Sequence, residues 1–274
     1  MTQSEQAEAR RIRMAVRSGY DQRASEYGAS AVRRHRAPPL QIPDIVPGAR
    51  ALDVGCGTGR STQPLVATAT GTVVGVDLSF GMLSRAVKTF DHERHVRFTQ
   101  GDAERLPFPD GSFDVVFSYR ALSHLSDQCQ AFREMARVLT SGGVIDVSLF
   151  GDRAMGRPIE RILRDAVRAE LGADAASLLR MFRPPTIAAV DAAAHAAGLV
   201  AEDVSGQTTY EWGDPEQLIT GLFVATTYMW NGIDASRVDR IRAGALNRAR
   251  AEASDRGLAD WTYSVHYRGR KPIE

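Results

Sequence analysis

Short apolar runs alternate with amphipathic, helix-like stretches through the middle of the chain. Helices are predicted between the runs, among them one capped by Ser79 and one from Ser126 to Leu139 that Gly142 and Gly143 close. Strands alternating with helices at this spacing predict βαβ units, and therefore a parallel sheet covered on both faces. The predicted strands are Ala51–Val54, Thr72–Asp77, Val96–Thr99, Phe113–Ser118 and Val144–Phe150.

The two flanking regions follow a different pattern. Residues 1–50 are polar, Arg-rich and helix-prone up to Pro38-Pro39, which stops any helix, and they form a predicted helical cap segment. Residues 51–150 form the predicted α/β core. Residues 151–274 combine predicted helices with two closing strands of the same sheet. Helices are predicted at 157–182, 186–197, 215–230 and 236–253, and strands at 199–210 and 261–267.

Composition narrows the class of protein. The chain has 274 residues, 43% of them hydrophobic, and its 34 Lys and Arg against 33 Asp and Glu give a net charge of +1. These values exclude a disordered chain, and no apolar run is long enough for a membrane helix. The near-neutral charge argues against a nucleic-acid binder. No secretory signal is visible, and two cysteines make no disulfide framework, so we expect a cytoplasmic protein. Without a Cys/His cluster at metal-ligand spacing, no metal is expected.

A glycine loop follows the first predicted strand. Gly55, Gly57 and Gly59 stand between that strand and a helix, where glycine lets the backbone turn sharply and approach a ligand. Dinucleotide enzymes use a similar loop, but the last glycine of their pattern would fall on Arg60. Asp53 precedes the loop and would direct a negative charge towards the place where those enzymes bind pyrophosphate. A ligand with an ammonium group and no phosphate fits this loop better.

Two further acids follow the next two strands. Asp77 ends the second strand, where a carboxylate can accept both hydroxyls of a ribose, and Asp102 follows the third, where it can accept from an adenine amino group. Each acid alone could be a helix cap. Together they predict a nucleoside-like ligand at the carboxyl edge of the sheet.

These motifs resemble those of class I S-adenosylmethionine-dependent methyltransferases, in particular the ubiquinone- and menaquinone-biosynthesis type and its small-molecule relatives. The resemblance implies a Rossmann-like, doubly wound α/β fold with a mostly parallel seven-stranded sheet and an added helical cap. It also implies S-adenosylmethionine as cofactor and S-adenosylhomocysteine as product. It is carried by Asp53–Gly59, by Val76–Ser79 with Met82 and Leu83, by Gly101–Phe108, by Phe113–Val116 and by Arg137–Gly143.

The resemblance assigns roles to single positions. The three loop glycines would pass under the methionine moiety, with Asp53 close to its amino group. Asp77 would hold the ribose, and Asp102 the adenine amino group. The remaining implied contacts are Leu78 and Met82 against the adenosine, Ala103 on the ring edge, Ser118 beside the methyl-transfer site, and Tyr20, with Tyr27 as a further candidate, closing the pocket.

Chemistry at the acceptor is less specified. His124, after the fourth strand, is the candidate general base, although a histidine there can equally cap or pack the next helix. Arg120 or Tyr119 could contact an acceptor. His195 lies in an Ala-rich helix and is expected to be structural. His35 and the cluster Tyr228–Trp230 could line an acceptor pocket or belong to the core.

The predicted function is methyl transfer to an O, N or C atom of a small organic, natural-product or quinone-like acceptor, with no nucleic-acid partner. One alternative keeps the fold and the cofactor but uses the sulfonium for cyclisation, elimination or decarboxylation. Another is a non-catalytic S-adenosylmethionine-binding subunit. A dehydrogenase is the most distant reading, and a homodimer is left open.

Overall fold

The computed structural model describes residues 3–27, 45–68, 71–179 and 184–273. A seven-stranded sheet runs through these residues in the order β3-β2-β1-β4-β5-β7-β6. Strands β1 to β5 are parallel, and β7 is antiparallel to both of its neighbours. The strands are β1 Arg50–Val54, β2 Thr72–Asp77, β3 Val96–Gln100, β4 Phe113–Tyr119, β5 Leu139–Phe150, β6 Val200–Gly213 and β7 Leu258–Arg270. The predicted doubly wound, mostly parallel α/β fold is confirmed.

Helices flank the sheet, and the cap predicted at Ser79 is confirmed. The Ser79 hydroxyl accepts from the backbone N–H of Met82 at the start of α3, at 3.1 Å, and Thr186 caps α7 in the same way through Ala189. The helices are α1 Gln3–Tyr27, α2 Thr62–Ala67, α3 Phe80–Thr89, α4 Gln128–Val138, α5 Pro158–Leu171, α6 Ala175–Leu179, α7 Ile187–Ala196, α8 Pro215–Ala225 and α9 Ala235–Glu252. No helix in the described part of the chain has the length and apolarity that crossing a membrane requires.

Register brings four strand ends to one edge. Val54 of β1 lies beside Val76 of β2, and Asp77 lies beside Gln100 of β3. On the other side, Asp53 lies beside Phe117 of β4. Because these strands are parallel, the loops after all four converge at the carboxyl edge of the sheet, where open α/β sheets bind ligands.

Apolar side chains form two kinds of core. The faces of the sheet pack against α4 and α7 on one side and around Leu65 and Phe90 on the other. A separate cluster holds together α1, α5, α8 and α9, with Val16, Ile162 and Phe223 among its buried members. This helical layer rests on the carboxyl edge of the sheet through α1 and α8, both of which line the cavity described below.

One predicted helix end is wrong. Gly142 and Gly143 do not close α4, because α4 ends at Val138 and β5 begins at once with Leu139 in an extended conformation. The register between β4 and β5 shifts between Phe113 and Val115. The two glycines therefore lie in an irregular part of β5. Gly142 has a φ of +76°, a conformation that favours glycine.

Two predicted helices are also shorter than expected. The helical stretch from residue 157 breaks at Gly172, whose φ is +55°, and α8 ends at Ala225 before a 3₁₀ turn over Thr227–Trp230. Both interruptions lie in the layer of helices above the cavity.

The outer edge of the sheet is long and exposed. β6 pairs with β7 over its whole length, with a register shift between Ala201 and Asp203. Its free side belongs to the edge of the sheet, and Tyr210 and Trp212 are 78% and 48% exposed. The Arg256 guanidinium lies 4.8 Å from the centre of the Trp212 ring.

Candidate active site

A cavity of about 820 Å³ opens at the carboxyl edge of the sheet. Its floor consists of the glycine loop after β1 and the loops after β2, β3 and β4. Its roof consists of side chains from α1, α5 and α8. Ten of the twelve predicted site residues line it: Tyr20, Gly55, Gly57, Gly59, Asp77, Leu78, Met82, Asp102, Ala103 and His124.

The glycine loop adopts backbone angles that require glycine. Gly55, Gly57 and Gly59 have φ values of +73°, +56° and +88°. A Cβ at Gly55 would lie 2.1 Å from the Cβ of Ala121, whereas a Cβ at Gly57 would meet no atom within 4 Å. The loop therefore packs tightly against the residues after β4 at one point and is open to the cavity at the next.

Asp77 ties the glycine loop to the start of α3. Its Oδ2 accepts from the backbone N–H of Gly57 at 2.8 Å, and its Oδ1 accepts from that of Ser79 at 2.8 Å. Burial raises the pKa of this carboxyl, and the two backbone donors act against that rise. Each carboxylate oxygen has a second lone pair, so Asp77 can also accept from two hydroxyl groups in the cavity.

The loop after β3 completes this end of the cavity. The Asp102 Oδ1 accepts from the backbone N–H of Glu104 at 2.9 Å, and Leu78, Met82 and Ala103 lie nearby in the same wall. The structure thus brings a carboxylate and apolar side chains together where the sequence places an adenine-binding region.

Sequence reasoning missed how α1 is held over this wall. The guanidinium of Arg13 donates to Glu104 at 2.5 Å and lies 3.7 Å from Asp102. The Asp21 Oδ1 accepts from the Ser79 hydroxyl at 2.7 Å and from the backbone N–H of Gly81 at 2.8 Å. Residues 13, 20 and 21 share one helical face, which is the signal that could have found them.

Glu104 is the second missed residue. Its side chain is largely buried, and its Oε1 accepts from the hydroxyl and backbone N–H of Ser126 and from the backbone N–H of Asp127. One carboxylate therefore links α1, the loop after β3 and the start of α4. Burial of this kind cannot be read from the sequence.

Two predicted residues lie behind the cavity wall. Asp53 is fully buried, and its Oδ2 accepts from the hydroxyls of Ser61 and Thr62 at 2.8 and 2.7 Å. Ser118 is also fully buried and donates its hydroxyl to the carbonyl of Val54 at 2.8 Å. The structure does not bring either side chain into the wall, and their predicted cofactor contacts stay predictions.

The Asp53 carboxyl is nevertheless unusual. Its Oδ1 is buried and has no hydrogen-bond partner among the described residues. Burial raises its pKa to about 7, against the lowering effect of the two hydroxyl donors. An ammonium group near this loop would stabilise the ionised form.

His124 lies at the other end of the cavity, between aromatic rings. Its ring centre is 5.8 Å from that of Tyr20 and 5.3 Å from that of Tyr228, and its Nε2 is 3.3 Å from the Tyr20 hydroxyl. That hydroxyl donates to the carbonyl of Ala225 at 3.1 Å, so its oxygen accepts from Nε2–H and Nδ1 is the basic nitrogen. Burial lowers the pKa of His124 to about 4, so the ring is neutral at pH 7.

The remaining candidates divide between the cavity and other regions. Tyr119 and Arg120 line the cavity, whereas Tyr228 and Trp230 are buried in the helical cluster. His195 lies outside the cavity, on α7. The Tyr27 side chain and His35 lie outside the residues that the structure describes. No cluster with metal-binding composition occurs in the described ranges.

Comparison with known proteins finds a family match for the α/β core, including the glycine loop. Residues 52–146 match a family model described as the methyltransferase domain. Residues 52–146 form a methyltransferase domain.

Curated relatives share this methyltransferase domain. A demethylmenaquinone methyltransferase from Bacillus licheniformis is 34% identical over 53% of this chain and 63% of the relative. A 2-methyl-6-phytyl-1,4-hydroquinone methyltransferase from Synechocystis is 37% identical over 40% of this chain and 34% of the relative. The chain thus spans less than two thirds of either protein.

Among solved structures, the YcgJ protein from Bacillus subtilis is similar, with a TM-score of 0.58 and 23% identity over 82% of this chain and 93% of that one. At this identity the likeness supports the fold of the methyltransferase domain alone.

Proposed function

We propose that the whole protein transfers a methyl group from S-adenosylmethionine to a small organic acceptor. The observation that carries the proposal is one cavity in which the open side of Gly57, the Asp77 carboxylate and the His124 ring all meet. The names of the two curated relatives add a quinone or hydroquinone as the first acceptor to test.

The residues present fit the cofactor on three counts. A Cβ at Gly57 would project into open space, as a backbone that approaches a ligand closely requires. Asp77 offers acceptors for ribose hydroxyls, and Asp102 offers one for an amino group. The buried Asp53 carboxyl, whose Oδ1 has no hydrogen-bond partner among the described residues, would supply negative charge beneath the loop once a bound ammonium group favours its ionised form. When bound, S-adenosylmethionine supplies an electrophilic methyl group on a positively charged sulfur.

This chain's own residues would then orient the acceptor and manage its proton. Tyr20 and Tyr119 present aromatic faces, which attract a nearby cation. α1 and α8 cover the cavity, and water displaced from it by a bound acceptor would strengthen the electrostatic interactions inside. The Tyr20 hydroxyl holds the ring of neutral His124 in place, and the buried Nδ1 would take up the proton of an acceptor that reaches it.

The finer assignments belong to the same proposal. We propose that the chain is organised as a cap segment over 1–50, a cofactor-binding core over 51–150, and a region of cap helices and closing strands over 151–274. A small-molecule acceptor is favoured over nucleic acid by the net charge of +1. The free thiols of Cys56 and Cys129 favour the cytoplasm, and a homodimer stays open.

Methyl transfer is tested by incubating the protein with S-adenosylmethionine and a short-chain hydroquinone, and then analysing the products by mass spectrometry. We expect S-adenosylhomocysteine together with a product heavier by one CH₂ group. His124→Asn should lower kcat by roughly 10²–10⁴-fold, because the proton acceptor is lost. His195→Asn, on α7, is the matched control and should act like the wild type.

The same assay separates the alternative functions. A product without the added CH₂ mass, formed without S-adenosylhomocysteine, would replace transfer with another reaction. An unchanged mass indicates cyclisation, whereas a lower mass indicates elimination or decarboxylation. Binding of the cofactor without any turnover over a panel of acceptors would favour a non-catalytic subunit. Full activity of His124→Asn would assign that histidine to packing.

Cofactor binding has its own test at Asp77. Asp77→Ala removes two hydrogen bonds that shape the loop and the acceptors for the ribose, so we expect S-adenosylhomocysteine to bind about 1–3 kcal/mol more weakly by calorimetry. Asp114→Ala, on β4 and paired with Arg50 outside the cavity, should leave the affinity unchanged. Equal affinity of Asp77→Ala and the wild type would overturn the cofactor site.

A further inference from the structure

The end of β4 carries a backbone feature that the cofactor site does not explain. Arg120 has a φ of +58°, the one positive value that a non-glycine residue shows within the described ranges. Such a conformation costs about 1 kcal/mol or more, and it persists only where surrounding structure enforces it. Here the backbone N–H of Arg120 donates to the carbonyl of Ser148 at 2.6 Å.

The side chain of Arg120 is held as firmly as its backbone. Its guanidinium carbon lies 4.6 Å from the centre of the Phe150 ring and 5.3 Å from that of Tyr119. All three residues line the cavity. A guanidinium stacked on aromatic rings uses its faces for the contact and directs its N–H donors outward in its plane, which is the geometry that binds a carboxylate or another oxyanion.

The position of Arg120 places it at the reacting end of the cavity. The next residue, Ala121, packs directly against Gly55, where the loop would pass under the methionine moiety. His124 follows one turn later. Arg120 therefore stands between the glycine loop and the candidate base.

Other charged residues also line the cavity. Arg157 is buried and paired with Asp260 at 2.5 Å, so its charge is balanced. Glu160 lies on α5, on the roof of the cavity, where its charge contributes to raising the pKa of Tyr228. On the floor, Arg60 follows the glycine loop directly, whereas Arg120 lies after β4 at the end of the cavity towards His124.

We propose that Arg120 binds an anionic oxygen of the acceptor, so that the substrate is a small molecule with an apolar or aromatic body and an ionised carboxyl, phenol or enol group. This inference rests on the proposed methyltransferase function and specifies its substrate class. The lining around Arg120 suits such a body, because Leu125, Phe150, Leu222 and Ala225 are apolar.

The chemistry agrees with this substrate class. An oxyanion, or the carbon that it activates, attacks the methyl carbon, the carbon–sulfur bond breaks, and its electron pair goes to sulfur. No proton has to be removed from an oxygen that arrives ionised. With such an acceptor His124→Asn should therefore lower kcat much less than with a hydroquinone, whose hydroxyl must lose its proton.

The test uses matched probes on the full-length protein saturated with S-adenosylhomocysteine. Binding of benzoate is compared with that of neutral benzamide by NMR titration, and para-nitrophenolate is compared with nitrobenzene in the same way. We expect the anion of at least one pair to bind about ten-fold more tightly than its neutral partner, and the pair that discriminates tells carboxylate from phenolate.

Variants assign the preference to Arg120. Arg120→Gln should bring the anion-to-neutral ratio close to one, and Arg120→Lys should keep part of it, because lysine keeps the charge but loses the stacked fork. Arg153→Gln is the matched control, since Arg153 also lies on an aromatic ring, that of Tyr263 at 5.1 Å, but outside the cavity. Glu160→Gln should leave the ratio unchanged or raise it.

Two results would overturn the inference. One is a wild type that binds anionic and neutral probes equally, which can be decided even if Arg120→Gln does not fold. The other is an Arg120→Gln variant that folds and keeps the full preference. Failure of the wild type to bind S-adenosylhomocysteine would instead refute the proposed function, so the two failures are distinguishable.

Discussion

Asp53→Asn is expected to make the protein more stable above pH 7 and to weaken its binding of S-adenosylhomocysteine. In the wild type the buried carboxyl has a pKa of about 7, whereas an unfolded Asp titrates near 3.8. The folded state therefore binds the proton more tightly, and the stabilising contribution of protonated Asp53 is complete below about pH 4 and is lost as the pH rises to about 7. Asparagine does not ionise, so the Asp53→Asn variant does not lose this stabilising contribution as the pH rises.

Urea unfolding between pH 4 and pH 8 measures the effect. The free energy of unfolding of Asp53→Asn, relative to the wild type, should rise by about 4 kcal/mol across the interval. His124 has the opposite dependence, because its lowered pKa makes the folded state less stable as the pH falls from about 6.5 to about 4. Both proteins contain His124, so its contribution cancels in the difference. A difference that does not change with pH would refute the buried, protonatable state of Asp53.

Ligand binding gives the complementary result. An ammonium group above the loop favours ionised Asp53, so wild-type affinity for S-adenosylhomocysteine should fall as the pH drops below 7, while that of Asp53→Asn should be lower and nearly flat. Below its pKa, the carboxyl must lose a proton for the ligand to bind. A gain in stability with unchanged affinity would leave Asp53 as a structural residue alone.

The second large effect concerns the glycine loop. Gly55→Ala should destabilise the protein by about 2–4 kcal/mol, because its φ is +73° and its Cβ would overlap the Cβ of Ala121. Gly57→Ala should cost only about 1 kcal/mol, since its φ is +56° and its Cβ meets no protein atom. That methyl group would, however, occupy the space above the loop, and S-adenosylhomocysteine should bind at least about ten-fold more weakly.

Thermal unfolding and calorimetry on the same samples separate stability from binding. Gly198→Ala is the control for Gly57→Ala, because Gly198 also has a positive φ, of +79°, with nothing near its Cβ, but lies outside the cavity. It should lose a similar stability and no affinity. If Gly57→Ala binds the ligand as well as the wild type does, the loop does not pass beneath it.

The α/β core was predictable because its signals are local. The strand from Thr72 to Asp77 and the cap at Ser79 depend on alternation, apolar runs and one hydroxyl, all within a few residues. The order of Asp53, Asp77 and Asp102 along parallel strands also fixes which edge they share. The wrong helix end at Gly142 arose because two glycines mark an irregular strand as readily as a helix terminus.

The rest of the site depends on contacts between distant parts of the chain. Arg13 pairs with Glu104 across 91 positions, and Arg157 with Asp260 across 103. No periodicity within either segment encodes such a pairing. The complete burial of Asp53 and Ser118 could not be predicted either. A sequence pattern gives the order of residues along a strand but not which of them a loop will cover.

The exposed edge of β6 has a consequence for self-association. If two copies paired along the whole of this strand in antiparallel fashion, Glu202 of each copy would stand opposite Glu211 of the other, and like charges directly opposite destabilise a pair of strands. The register shift between Ala201 and Asp203 would further distort a continuous ladder. A sheet edge of this length is a hazard for aggregation, and two carboxylates and one irregular step would work against its pairing with a second copy.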